Sequence, residues 1–307
     1  VAESLSLAAF WLALLVTAAG VVFHWAHLLG LRVVMRRLAT EAGQGPVLAT
    51  LERGVNGLAE PAGRWGLLTA YAATALFAVW AVARWQAAGH PPWSNMYEFT
   101  IAFAGGITAC YVAFERLYGQ HEGQAGARTL GALVQPVVLA MLVVTAAFFP
   151  SEVRPLVPAL QNNTLLAVHV ATMIAAYAAL SVSFAAALLY LAQGGTRRRF
   201  MALPRARTLD DIAYRSVMIG FPLLALGIAL GAYWANSAWG RYWGWDPKET
   251  SALGTWLIYG VYLHMRGMRK WSGTRSAWVL VAGFGAVLFT YFAVNLLIPG
   301  LHSYAGV

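Results

Sequence analysis

Four tryptophans, Trp234, Trp239, Trp243 and Trp245, fall within twelve residues, and the run Asp246-Pro247-Lys248-Glu249 follows at once. Indole is large, planar and apolar, with one N–H donor. Such a cluster is either an anchor belt at a membrane interface or a wall for a flat apolar ligand. Belts are usually scattered over many span ends, and this density in one segment, about 234–250, is not typical of them. Gly240 and Gly244 interleave with the indoles and let the segment fold into a shaped shelf. Asp246 reads as a helix N-cap, Pro247 as the first helical residue and Glu249 as the far half of a capping box. The helix end so formed, with Lys248 on it, suits an anionic group such as a carboxylate.

Histidines supply the metal-binding chemistry. His169 and His302 fall on the same membrane face as the tryptophans, by the topology set out below. A lone histidine is most often a hydrogen-bonded structural residue. Two of them on different helices, flanking an aromatic shelf in sequence, also make a coherent bis-imidazole haem site, since imidazole binds iron readily. Ser94-Asn95-Met96-Tyr97-Glu98 opens another helix on that face. Asn95 could cap it, with Glu98 favoured by the helix dipole; after His90-Pro-Pro-Trp93, the run could instead contact the ligand or a partner chain. His264 lies about 18 residues beyond Asp246, roughly 27 Å along a helix, so it cannot share a metal with the other two. His24 and His27 lie at a similar depth, while His90 and His121 read as exposed loop residues.

The elements that must hold these groups are membrane spans. The 307 residues are 60% hydrophobic and 11% charged, against about 25% charged in soluble domains. Eight apolar runs are long enough to span, at about 5–26, 65–84, 98–116, 130–149, 164–192, 214–234, 249–266 and 276–298. The expected fold is therefore all-α: a single polytopic membrane domain over 1–307. Any helix over 42–60 is expected to be short and interfacial, given its glycines. Of 21 lysines and arginines, 17 fall in loops on one side, and only Arg84, Arg154, Arg241 and Lys248 on the other. The positive-inside rule then places both termini and the tryptophan segment outside. The net charge of +9 belongs to those loops and does not suggest nucleic acid. Cys110 is the single cysteine, which excludes an internal disulfide, a Cys-x-x-Cys redox pair and a covalent haem-attachment motif. No Lys or Arg precedes the first apolar run, which does not fit a cleavable signal peptide.

The run Trp239-Gly-Arg-Tyr-Trp243-Gly-Trp245-Asp246-Pro-Lys-Glu249-Thr resembles the "WWD" signature of the haem-handling proteins of cytochrome c biogenesis. Ser94 to Phe99, Leu209-Asp-Asp-Ile-Ala-Tyr-Arg215, Gly220-Phe-Pro-Leu223, Trp256-Leu-Ile-Tyr259 with Tyr262-Leu-His264, and Leu301-His-Ser-Tyr-Ala-Gly306 are similar to the CcsA (ResC) branch of the System II pathway. Ser251 departs from that pattern, which often has a further tryptophan there. The resemblance implies that His169 and His302 are axial ligands to haem iron on the outer face. It implies that His264 is a ligand within the membrane, its trans partner coming from the companion subunit CcsB (ResB). Trp239, Trp243, Trp245, Asp246, Lys248, Tyr97 and Glu98 are the residues expected around the cofactor, haem b. The implied activity, in the cytoplasmic (inner) membrane and together with CcsB, is a cytochrome c synthase. Such a protein moves haem outward and supports its thioether attachment to the Cys-x-x-Cys-His motif of apocytochrome c. A CcmC-like haem chaperone with about six spans, a cytochrome b-type electron-transfer subunit and a metal-free transporter of another flat substrate are the alternatives.

Overall fold

The computed structural model describes residues 1–41, 59–122, 128–153, 156, 160, 164–195, 203–268, 271, 273–294, 297, 298, 300 and 301, with backbone alone at 32–41 and 118–122. His302, the side chain of His121 and the segment 42–58 lie outside the described residues.

Eight long helices make up the described chain: α1 (Ala2–Glu41), α2 (Glu60–Ala88), α3 (Met96–Glu122), α4 (Gly131–Phe148), α5 (Thr164–Ala192), α6 (Ala206–Trp239), α7 (Pro247–Arg266) and α8 (Thr274–Leu288). A π-helical turn, Phe289–Ala293, extends α8. No strand occurs among the described residues. This is the structure a lipid-embedded chain is limited to, because only helices and closed barrels satisfy every backbone polar group without water. Seven helices are long and apolar enough to cross a membrane. The eighth, α7, falls short because it carries Lys248, Glu249, His264 and Arg266 in 20 residues. The protein is a polytopic, all-helical membrane protein.

Helix pairs organise the bundle. The most extensive packing is between α5 and α6 and between α1 and α2. Helix α3 joins the two pairs, touching α2, α4 and α5, and α8 packs on α5 and α7. The buried stretch of α5, with Ala176, Ala178, Ala179, Ser183, Ala185, Ala186 and Ala187, is built from small residues. Such a surface lets helix backbones approach closely in lipid, where van der Waals packing has to replace the hydrophobic effect.

Two polar clamps fix the bundle ends. At one end Arg84 and Glu98 form an ion pair at 2.8 Å, exposed by only 0% and 1%. Arg84 also donates to the carbonyls of Ser151 (2.7 Å) and Glu152 (3.0 Å), tying α2 and α3 to the chain after α4. At the other end Arg266 grips Asp210 with both guanidinium nitrogens, at 2.8 and 2.6 Å, locking the close of α7 to the start of α6. Phe10 of α1 packs on Tyr97 with ring centroids 5.6 Å apart, and Leu301 donates to Asp246. The start of α1 and the last described residue therefore lie at the same end as the tryptophans.

Candidate functional site: a cavity at the tryptophan end

The turn after α6 is built as its sequence implies. Gly240, at φ 72, closes α6 by donating to the Asn236 carbonyl, so Trp234 and Trp239 stand on the last helical turns. Their indoles meet edge to face at 4.8 Å. Trp243 and Trp245 follow in the turn, 5.7 Å apart and nearly perpendicular. Trp245 has φ 56, a left-handed conformation rare for a residue of this bulk, and its side chain is 70% exposed. The capping box is complete. Asp246 accepts from the Lys248 amide at 3.1 Å, and Glu249 accepts from the amides of Asp246 (3.1 Å) and Gly244 (2.8 Å). Asp246 also accepts from the Leu301 amide at 2.6 Å, so one buried carboxylate starts α7 and anchors the tail that leads to His302.

Beside this turn lies a cavity of about 820 Å³. It is large enough for a sizeable organic ligand, since such sites run to about 300–1,000 Å³. Its walls come from the close of α2, the connector to α3, the openings of α3, α5 and α7, and the close of α6. Four indoles line it: Trp85 and Trp93 from the α2–α3 side, Trp234 and Trp243 from the α6–α7 side. The shelf expected from one loop is thus shared between two regions far apart in sequence. Of the three named signature tryptophans, Trp243 lines the cavity; Trp239 packs behind Trp234, and Trp245 points to the surface.

His169 enters this cavity from the second turn of α5. Its Nδ1 donates to the Gly227 carbonyl of α6 at 2.7 Å. A carbonyl can only accept, so the proton sits on Nδ1 and a neutral ring keeps its lone pair on Nε2. Ligating histidines are held in this way, by a backbone carbonyl on the other ring nitrogen. Gly231 makes the approach possible, because a Cβ there would stand 2.6 Å from the imidazole. Neither glycine stood out in the sequence, since the contact crosses 58 residues.

Lys248 and Glu249 line the cavity beside the start of α7. Lys248 precedes the apolar part of α7. Desolvation pushes its ammonium down to about 8, against the opposing pull of Asp246. A cation that is poorly solvated gains most from an incoming anion.

Helical periodicity separates the members of the α3 motif. Ser94, Asn95, Met96 and Phe99 line the cavity. Tyr97 and Glu98 turn to the opposite face, against Phe10 and Arg84, and are not among its lining residues. Glu98 accepts from Arg84 and from both the amide and hydroxyl of Ser94, while Asn95 caps the helix through the Glu98 amide. His264 lies at the far end of α7, exposed on the bundle surface and about 24 Å of helix from Lys248. His24 and His27 are fully buried. His24 bonds to the Gly20 carbonyl and the Tyr111 hydroxyl, and His27 to the Ala59 carbonyl. His90, expected to be an exposed loop residue, lines the cavity instead. Among the described residues no group of three or more His, Cys, Asp and Glu side chains is poised around a metal ion.

Comparison with known proteins gives the family. The family described as cytochrome c assembly protein matches residues 93–302, from the second wall indole to the tail histidine. The chain is 39% identical to the cytochrome c biogenesis protein CcsA of Synechococcus elongatus, over 72% of this chain and 81% of that one. It is 41% identical to CcsA of Chlamydomonas reinhardtii, over 72% and 63%. With CcsA of Thermosynechococcus vestitus the identity is 37%, over 78% and 89%. These matches, with the eight long helices of the described residues, show that the chain is a multi-pass membrane protein of the cytochrome c assembly family, in its CcsA branch.

Proposed function

We propose that the cavity holds haem, here haem b as cargo, on the outer face of the cytoplasmic membrane and presents it to apocytochrome c. Membership of the family gives a role in cytochrome c biogenesis. The observation that carries the haem reading is His169: its Nδ1 is committed to the Gly227 carbonyl at 2.7 Å, and its ring lines a cavity flanked by four indoles. His302 is the second axial ligand in this reading, and the anchoring of its neighbour Leu301 on Asp246 supports that role. Trp85, Trp93, Trp234 and Trp243 flank the macrocycle, while Lys248 and the opening of α7 receive its propionates.

The chemistry of thioether formation resides in the haem vinyl groups and the two thiols of the Cys-x-x-Cys-His motif. The protein supplies binding, orientation and electrostatics. The two imidazoles hold the iron, the aromatic walls exclude water from one edge, and one axial bond yields to the incoming histidine. His264, exposed at the far end of α7, is suited to pair with a histidine of the companion subunit CcsB on the route by which haem is exported. The eight long helices among the described residues favour this pathway over a shorter chaperone.

The test is the visible spectrum of the purified protein in wild type, His169→Ala, His302→Ala and His264→Ala. Loss of the low-spin bands and of bound haem is expected for His169→Ala, and a lowered haem content with shifted bands for His302→Ala. Full haem with unchanged bands in both would overturn the ligand assignment. The His264 variant should lose haem only from preparations that contain CcsB.

A further inference from the structure

The connector between α2 and α3 carries an imidazole that the haem reading leaves unused. His90 follows Gly89, which ends α2, and precedes Pro91, Pro92 and Trp93. Its Nδ1 lies 3.1 Å from the Pro91 carbonyl, which can only accept, so Nδ1 carries the proton and the neutral ring keeps its lone pair on Nε2. That Nε2 is buried and has no hydrogen-bond partner among the described residues. The next two residues cannot supply one, because proline has no N–H. A buried acceptor with no donor needs a reason to be there.

The reason is the company it keeps. His90 lines the same cavity as His169, and the two rings are prepared alike, each with Nδ1–H on a backbone carbonyl and a lone pair on Nε2. They arrive from separate parts of the fold, the close of α2 and the opening of α5. We propose that His90 is a third iron-ligating imidazole of this cavity. The proposal rests on the haem reading above. Iron in haem has two axial positions, so three imidazoles leave one spare. His90 would supply the iron with an imidazole from the cavity wall while another of its ligands exchanges with the incoming apocytochrome.

The experiment uses the full chain in detergent, loaded with ferric haem, and reads haem content together with the low-spin fraction by visible absorption and electron paramagnetic resonance. His302→Ala is expected to retain a low-spin population. His302→Ala combined with His90→Ala should lose it at least fivefold, and added imidazole should restore it. His90→Met in the His302→Ala background should change the ligand-field bands rather than erase them, a signature that a purely structural role does not give. An unchanged low-spin fraction in the double variant would overturn the proposal. So would a loss of haem content with the low-spin fraction preserved, or a failure of imidazole to rescue a well-folded double variant. If His169→Ala also left content and spectrum untouched, the haem reading itself would fail; dependence on His169 without dependence on His90 sinks only the third ligand.

Discussion

The two ends of the bundle use histidine in opposite ways. At the cavity end His169 and His90 each have Nδ1 on a carbonyl and a ring that lines open volume. Toward the other end His24 is fully buried, with the Gly20 carbonyl on one nitrogen and the Tyr111 hydroxyl on the other. The residue type is the same, yet the first two rings adjoin open volume and the His24 ring is enclosed by packing. The lesson is that a histidine's role follows from whether space adjoins its ring.

The polar clamps are alike at the two ends: Asp210 pairs with Arg266 at one, and Glu98 with Arg84 at the other. Asp246, in contrast, holds two segments at once and leaves the adjoining cavity wall to Lys248 and Glu249.

The largest effect should come from the buried clamp. Arg84→Ala removes the ion-pair partner of the buried Glu98 carboxyl and leaves it only its Ser94 hydrogen bonds, a loss of about 3–5 kcal/mol. Thermal unfolding in detergent should show it, and Glu98→Ala should behave alike. A Glu98→Gln protein of normal stability that nonetheless lost its haem would move Glu98 into the site and break the division drawn here.

Next comes a matched pair of glycine substitutions. Gly231→Ala forces its Cβ to within 2.6 Å of the His169 ring, and Gly131→Ala to within 2.1 Å of the His24 ring. The first should lower haem occupancy on the order of tenfold, in line with disturbed metal-ligand support. The second should destabilise the fold and leave the spectrum of any folded fraction unchanged. A normal spectrum in Gly231→Ala would show that the α5–α6 contact does not position His169.

Lys248 gives a pH dependence. With its ammonium near 8, haem binding should weaken as pH rises through about 8, because the neutral amine no longer attracts a propionate. Lys248→Gln should bind more weakly and show no such fall. The sign for the empty fold is the reverse: between about 8 and the ordinary 10.5 the unfolded chain binds more protons, so stability rises with pH. Titration of haem at several pH values, beside unfolding of the empty protein, separates the two.

Trp245 should matter least to the cavity. Trp245→Gly relieves a left-handed backbone worth about 1 kcal/mol, so thermal stability should rise slightly while haem content of the purified protein stays level. Loss of haem would return this indole to the wall.

Much of this was legible in the residues. Eight apolar runs, one of them matching α5 at 164–192, reflect a local rule, since each span must bury its own backbone hydrogen bonds. The capping box was legible for the same reason: Asp246 and Glu249 act within one turn. Helix extents were less so. α1 and α6 run past their apolar cores, to Glu41 and Trp239, because water at the bundle ends continues to support helix. The seam between α5 and α6, the indoles of Trp85 and Trp93 and the cavity face of His90 were not legible, because they depend on which helices become neighbours. Tyr97 and Glu98 read as part of a motif with Asn95, yet a 3.6-residue period turns them to another face, and only the position of Arg84 gives that face its meaning. The sequence by itself determined the spans, the caps and the supply of imidazole and indole, since each follows from contacts within a turn or from preference for lipid. The tertiary structure alone decided which of those rings share a cavity, because that depends on long-range packing of preformed helices.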